Sequence, residues 1–141
     1  MTVKQVILLR TSFPDGRGGT FKPRLGKMAA QAAHASMKVF FDRRVAGGVD
    51  ARLDVPLSPA MAAWVSGTFT KVVLGVETEE LLVTAYRLAL EASLPVAIVE
   101  DIGATEFHGV PTKTAVAIGP AEADEIDKIT GKAGLIPTRL L

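Results

Sequence analysis

Three polar side chains recur at helical spacing in the first third of the chain. Lys27, Gln31 and His34 are four and three residues apart, so they lie on one face of a helix. The residues around them are mostly Ala and Met, which favour helices, and they predict one helix over residues 26–41. A cation, an amide and an imidazole beside an apolar stripe need polar partners or a chemical use.

Two further polar residues could join this helix face. Asp101 follows a strand-like run, and Thr114 lies in another one. In open α/β sheets, ligands bind beyond the carboxyl ends of parallel strands. If the strand before Asp101 is parallel to the first strand and the strand of Thr114 is antiparallel, both residues meet Lys27 at one sheet edge. An ammonium, a carboxylate and a hydroxyl could there polarise a water and stabilise an oxyanion, which ester hydrolysis needs.

Each of these residues also has an ordinary structural explanation. Lys27 could be a solvated helix residue, and Asp101 could form a turn ahead of Gly103. Thr114 belongs to a residue type common in strands, and a histidine such as His34 is more often a hydrogen-bonded helix residue than a catalyst. The residue types alone leave both interpretations open.

The elements that must position these residues alternate between strands and helices. Ser58 and Thr78 are predicted helix caps. Strands are predicted over residues 3–10, 70–76, 95–99 and 112–118, helices over 26–41, 59–64, 78–89 and 122–130, and Gly- and Pro-rich loops over 11–25 and 46–59. This order predicts a three-layer α/β/α sandwich with a four-stranded mixed sheet, in one domain over residues 1–141.

Composition narrows the class of protein. The 141 residues are 48% hydrophobic and 22% charged, which is typical of a globular, soluble domain. The apolar runs are far shorter than a membrane span, and the first residues lead into a strand rather than a signal peptide. Because there is no cysteine, disulfides and thiolate metal sites are excluded, which fits a cytoplasmic protein.

The net charge of +1 conceals an asymmetry along the chain. Residues 1–44 contain nine Lys and Arg but two Asp and Glu, a net charge of +7, so residues 45–141 carry −6. A basic N-terminal third can attract an anionic partner such as RNA. The alternative is an ordinary solvated surface balanced by an acidic one.

Familiar catalytic motifs are absent from the sequence. A phosphate-binding loop would need Gly where Phe21 stands and Ser or Thr where Met28 stands, so a Mg²⁺-bound nucleotide is not expected. The start of the helix at Gly26 and Lys27 could still accept a phosphate through its N–H groups. The two histidines form no H-E-x-x-H motif, and no serine lies in G-x-S-x-G. We therefore expect no metal and no cofactor.

Two blocks of sequence are similar to a known family. G-K-x-A-A-Q-x-A-H-A begins at Gly26, and A-I-G-P followed by I-D-K-x-T-G begins at Ala117. With Trp64 ahead of residues 71–74, these blocks resemble the type II peptidyl-tRNA hydrolases. The resemblance covers nearly the whole chain apart from residues 42–62 and the last few, and it is closest to a divergent, bacterial-type member.

The resemblance implies a compact α/β/α fold, usually dimeric, and metal-free hydrolysis of the ester that joins a peptide to the 3′ end of tRNA. The catalytic residues that we assign from it are Lys27, Asp101, Thr114 and His34. In this assignment Asp101 orients or activates water, Lys27 stabilises negative charge or grips phosphate, and Thr114 hydrogen-bonds the reacting group. The residues assigned to substrate binding are Gln31, Gly26, Arg24, Lys22, Thr105 and Thr112.

The sequence departs from the family pattern near Asp101. The family usually has Arg at the positions of Glu100 and Ala104. An acid and a methyl group in place of two cations weaken the attraction for phosphate. This change favours a second hypothesis, a binding or regulatory module of the same fold that has lost the reaction or acts on another small ester.

The loop before the main helix is also longer than is usual for the family. It brings Arg17, Lys22 and Arg24, which could compensate for the missing cations. The enzyme and the non-catalytic module both remain hypotheses at this stage.

Overall fold

The computed structural model describes residues 1–45, 51–103, 107 and 109–141. Strands and helices alternate over this part of the chain. In chain order they are β1 (Val3–Arg10), β2 (Phe13–Pro14), β3 (Thr20–Phe21), α1 (Leu25–Phe41), α2 (Pro59–Ser66), β4 (Lys71–Val76), α3 (Glu79–Glu91), β5 (Val96–Asp101), β6 (Thr112–Glu122), α4 (Ala123–Thr130) and β7 (Arg139–Leu140).

A mixed sheet lies at the centre of the fold, with the strand order β5-β6-β1-β4-β7. β1 and β4 are parallel, and β6 is antiparallel to both of its neighbours, β1 and β5. β1, β4 and β5 therefore end at one edge of the sheet, and β6 begins there. The strand directions that the site hypothesis required are confirmed, since Asp101 at the end of β5 pairs with Thr112 at the start of β6.

The sheet has five strands, so the prediction of four was wrong. The additional strand, β7, pairs with Leu74 and Gly75 at the outer edge of β4. Its two residues are exposed and too few to show a period-2 pattern, so only the pairing with β4 defines the strand. The tail also packs closely here, because a Cβ on Gly75 would lie 2.7 Å from the Cδ2 atom of Leu141.

Residues 11–25, predicted as a loop, contain a short hairpin formed by β2 and β3. Asp15 closes its turn, because its Oδ1 accepts hydrogen bonds from the backbone N–H groups of Arg17 at 2.7 Å and Gly19 at 3.0 Å. Gly16 and Gly18 have φ angles of 78° and 85°, which glycine adopts without strain. Strands of two residues are too short for sequence alternation to predict them.

Helices cover both faces of the sheet, as predicted. Side chains alternate along β1, so Ile7 and Leu9 pack in one core cluster with residues of α1 and α2. Val6 and Leu8 pack on the opposite face with residues of α3 and α4. In the part of the chain that the structure describes, no helix has a stretch long and apolar enough to cross a membrane.

A buried amide fixes α1 against the sheet. Gln5 on β1 is fully buried, and its Nε2 donates to the backbone oxygens of Ser36 at 3.3 Å and Gly119 at 3.1 Å. The hydroxyl of Ser36 in turn donates to Gln5 Oε1 at 2.5 Å. These bonds join β1, α1 and β6, and they set the position of the polar face of α1 along the sheet.

We expect Gln5→Ala to lower the free energy of unfolding by about 2–4 kcal/mol, because it opens a cavity and leaves buried polar groups unpaired. Urea denaturation followed by circular dichroism measures this change. Ser36→Ala removes a single donor and should cost about 1 kcal/mol. A loss in Gln5→Ala no larger than that in Ser36→Ala would contradict the role given to the amide.

Candidate active site

The polar face of α1 lies against the carboxyl end of β5. Lys27 and Gln31 are one helical turn apart on α1, and both reach Asp101, the last residue of β5. Lys27 Nζ lies 2.7 Å from Asp101 Oδ2, and Gln31 Nε2 donates to the same oxygen at 2.7 Å. The structure therefore brings together residues that are 74 positions apart in the chain.

Thr114 extends these hydrogen bonds to β6. Its buried hydroxyl donates to Gln31 Oε1 at 2.7 Å. The carboxylate of Asp101 only accepts hydrogen bonds, so the amide nitrogen of Gln31 must face Asp101. The amide oxygen of Gln31 is then left to accept the hydrogen bond from Thr114. We call Lys27, Gln31, Asp101 and Thr114 the polar cluster.

The second carboxylate oxygen of Asp101 is held by the backbone. The N–H of Gly103 donates to Asp101 Oδ1 at 2.7 Å. Gly103 has a φ angle of 84°, and a Cβ at this position would collide with the backbone of Val110. Glycine is therefore required here for both its conformation and its size, and both oxygens of Asp101 are fixed in direction.

Asp101 is ionised at neutral pH. Burial by itself would raise the pKa of this carboxyl group, but the hydrogen bonds from Lys27, Gly103 and Gln31, together with the charge of Lys27, outweigh burial and lower its pKa below the ordinary value. The group is thus a hydrogen-bond acceptor in the folded protein rather than a proton donor.

Aromatic side chains of the hairpin pack with Phe107 beside the polar cluster. The ring of Phe13 lies 5.8 Å from that of Phe21 and 4.7 Å from that of Phe107, between ring centroids. Lys27 Nζ lies 5.6 Å from the Phe107 ring centroid, and the Arg10 guanidinium lies 4.4 Å from that of Phe13. We call Phe13, Phe21 and Phe107 the aromatic wall.

The residues of the aromatic wall were not among the site residues predicted from the sequence. A signal was present, since Phe13 and Phe21 flank a Gly-rich turn and large apolar side chains in such a loop gain free energy by burial. Phe13 is 2% exposed and Phe107 is 5% exposed. Their packing keeps water from one side of the polar cluster, and this strengthens its electrostatic interactions.

Of the residues assigned to substrate binding, Gln31 is buried and belongs to the polar cluster itself. Lys22, Arg24 and Gly26 are exposed at the start of α1. A Cβ on Gly26 would have no described atom within 4 Å, so no described contact requires glycine there. Thr112 is half-buried, and its hydroxyl donates to the carbonyl oxygen of Val110 at 2.8 Å. Thr105 lies outside the described residues.

His34 is exposed on α1, about two turns beyond Lys27. It takes no part in the hydrogen bonds given above for the polar cluster, and its catalytic role stays a prediction. Over residues 1–45, 51–103, 107 and 109–141, no three His, Cys, Asp or Glu side chains form a group that could hold a metal ion.

The chain is similar to known proteins over most of its length. A family model described as peptidyl-tRNA hydrolase PTH2 matches residues 3–136. This chain belongs to that family. A protein named peptidyl-tRNA hydrolase from Methanocaldococcus jannaschii is 34% identical over 134 residues, which cover 95% of this chain and 100% of the relative.

Two further relatives carry the same name. The protein from Methanopyrus kandleri is 34% identical over 133 residues, 94% of this chain and 97% of the relative. The protein from Aeropyrum pernix is 37% identical over 129 residues, 91% of each chain. The resemblance to the family is confirmed, but these relatives are archaeal and give no support to a bacterial-type member.

The pKa of Asp101 predicts how stability depends on pH. Because the folded-state pKa lies below the unfolded value, the unfolded chain binds more protons between the two values, and stability rises with pH there. The stabilisation from Asp101 is therefore complete above the unfolded pKa and is lost as pH falls through the folded pKa. In Asp101→Asn the difference in unfolding free energy from the wild type should shrink as pH falls.

Urea denaturation at a series of pH values from about 7 to about 3 measures this dependence. Asp54→Asn, which removes an exposed carboxylate, is the control for the change in net charge. The same pH dependence in both variants would contradict a specific contribution from Asp101.

Proposed function

We propose that this protein hydrolyses the ester bond of peptidyl-tRNA and releases free tRNA and peptide. The observation that carries this proposal is the ion pair between Lys27 and Asp101 at the carboxyl edge of the sheet, in a chain that belongs to the PTH2 family. The three relatives named above are matched over 91–100% of their own length, so the likeness extends over nearly whole proteins.

The charges of the polar cluster suit attack by water on an ester carbonyl. Asp101 can accept a hydrogen bond from the attacking water and direct its lone pair at the carbonyl carbon. Lys27 stabilises the negative charge that develops on the carbonyl oxygen. When the tetrahedral intermediate collapses, the bond to the ribose oxygen breaks, and a proton from the attacking water ends on that oxygen.

The charges of the two residues suggest how they share this work. A carboxylate with a pKa below the ordinary value is a weak base at neutral pH, so it takes up little of the proton in the transition state. Its larger contribution is to orient the water and to hold Lys27 in place. In this mechanism Lys27 supplies electrostatic stabilisation, and Asp101 supplies orientation of the water.

Gln31 and Thr114 act through Asp101. The hydroxyl of Thr114 holds the Gln31 amide, and that amide holds one oxygen of Asp101. Their contribution is to fix the direction of the carboxylate, because a misplacement of about 1 Å can cost about 100-fold in rate.

Three further properties belong to the same proposal and rest on family membership. We propose that the protein binds tRNA, that it forms a homodimer, and that it acts in the cytoplasm, where translation takes place. The alternative is a binding or regulatory module of the same fold. The exposed Glu100 beside Asp101 favours that alternative, because it places negative charge near the site.

We expect Lys27→Ala and Asp101→Ala each to lower kcat/KM for an N-blocked aminoacyl-tRNA by about 100-fold or more, because each removes a charge that acts in the transition state. Release of the blocked amino acid from the labelled ester measures the rate. Lys38→Ala is the matched control for charge, since Lys38 lies on the same helix and pairs with Asp42 on the surface.

Activity of both variants within a few-fold of the wild type would reject the proposed roles. A wild-type protein that binds tRNA but leaves the ester intact would favour the non-catalytic module. A wild-type protein that does neither would reject the proposal as a whole.

Thr114 gives a test of positioning rather than of charge. Thr114→Val keeps the shape of the side chain but removes the hydroxyl, so the Gln31 amide loses its donor, and we expect kcat to fall about 10-fold with little change in KM. Thr114→Ser retains the hydroxyl and should recover most of this loss. A loss of kcat in Thr114→Ser with none in Thr114→Val would show that the methyl group, not the hydrogen bond, matters.

A further inference from the structure

A cavity of about 620 Å³ lies between the hairpin and the start of β6. Pro14 and Arg17 of the hairpin line one side, and Val110 and Pro111 line the other. This volume is within the range of about 300–1,000 Å³ found for ligand pockets. Nothing in the mechanism above uses this cavity.

The aromatic wall joins this cavity to the polar cluster. Phe13, Phe107 and Arg10 line the large cavity, and the same three residues line the narrow space beside Lys27 and Thr114. A substrate whose ester lies at the polar cluster therefore has this cavity as its neighbouring volume. One of the two groups joined by the ester, the ribose of the terminal nucleotide or the acyl group, is expected to occupy it.

The hairpin is held firmly against this site. Its two ends carry Phe13 and Phe21, which pack together and against Phe107. The side chain of Asp15 accepts the backbone N–H of Arg17, so the position of Arg17 at the cavity is fixed by the turn. The hairpin is thus a structured part of the cavity.

Two arginines and two acids line the cavity, and they differ in the contacts that already engage them. Glu79 also lines the cavity, but its negative charge interacts with the guanidinium of Arg10. Asp15 lines it as well, and that carboxylate is bonded within the turn. Arg17 is exposed at the rim, and its guanidinium can bind a phosphate with two hydrogen bonds.

We infer that this cavity binds the terminal nucleotides of the single-stranded 3′ end of tRNA, with Arg17 against a backbone phosphate. The inference rests on the proposed function and adds to it the side of the ester that faces the hairpin. An acyl group would give Arg17 no anionic partner, whereas the terminal nucleotides bring phosphates close to the ester. The apolar side chains of Val110 and Pro111 then contact the sugar and base.

The first test removes the positive charge of Arg17. Arg17→Ala should raise KM for an N-blocked aminoacyl-tRNA about 10-fold at about 0.1 M salt, with kcat within about 3-fold of the wild type. The slope of log KM against log salt should fall by about 1, as for the loss of one phosphate contact. Arg17→Lys, which keeps the charge, should retain most of the affinity.

The control is Arg87→Ala, which removes an exposed arginine that pairs with Glu91 on α3. It changes the net charge equally and should leave KM unchanged. If Arg17→Ala and Arg87→Ala behave alike while the wild type hydrolyses the substrate, the inference is wrong and the proposed function stands. If the wild type has no hydrolase activity, the proposed function fails, and binding of a short single-stranded RNA with the tRNA 3′ sequence compares the same two variants.

The second test fills the cavity. Val110 is 59% exposed, so Val110→Trp narrows the cavity without disturbing the core. If nucleotides occupy the cavity, KM should rise by the same factor for substrates with small and with large acyl groups. A rise confined to large acyl groups would place the acyl group in the cavity and overturn the inference.

Discussion

The ion pair between Lys27 and Asp101 is the constraint on which the site depends. Its two charges come from different elements, and the side chains are only 18% and 11% exposed. Withdrawing two charges from water is unfavourable unless further hydrogen bonds compensate for the lost hydration. Gln31 and the N–H of Gly103 supply those bonds to Asp101. The pair is stable because its neighbours are correctly placed, and this is also what fixes the direction of the carboxylate.

The sheet makes this placement possible. β5 reaches the same edge at which β1 ends and β6 begins, so Asp101 and Thr114 are close although the loop between their strands is long. The position of α1 along the sheet must also be correct to within about one residue, since a shift of 1.5 Å would separate Lys27 from Asp101. The hydrogen bonds between Gln5 and Ser36, near the far end of α1, hold this position. Hydrogen bonds near the amino end of β1 thus help to hold the geometry of the site at its carboxyl end.

Local sequence patterns predicted the parts of the site that depend on periodicity. The spacing of Lys27 and Gln31 gave their common helix face, and the strand-like run before Asp101 gave its place at the sheet edge. The function of Gln31 as the bridge between Asp101 and Thr114 could not be predicted, because it depends on the distance between two elements. The aromatic wall likewise depends on Phe107 meeting the hairpin across 94 residues of sequence from Phe13. β7 was not predicted because two exposed residues are too few to show an alternating pattern of apolar and polar residues.

The charges near the site explain why the hairpin is proposed to contribute to substrate binding. Lys27 and Asp101 neutralise each other, and the exposed Glu100 adds a negative charge beside them, so the site itself attracts an anionic substrate weakly. Cations farther away than about 8–10 Å are largely screened at physiological ionic strength, so the net charge of the N-terminal third matters only where it lies near the cleft. In the hairpin, Arg17 lines the cavity that shares Phe13 and Phe107 with the space beside Lys27. Capture of the substrate and chemistry on it can therefore be served by different residues, and a change in the hairpin can alter affinity while the alignment of Asp101 and Lys27 stays the same.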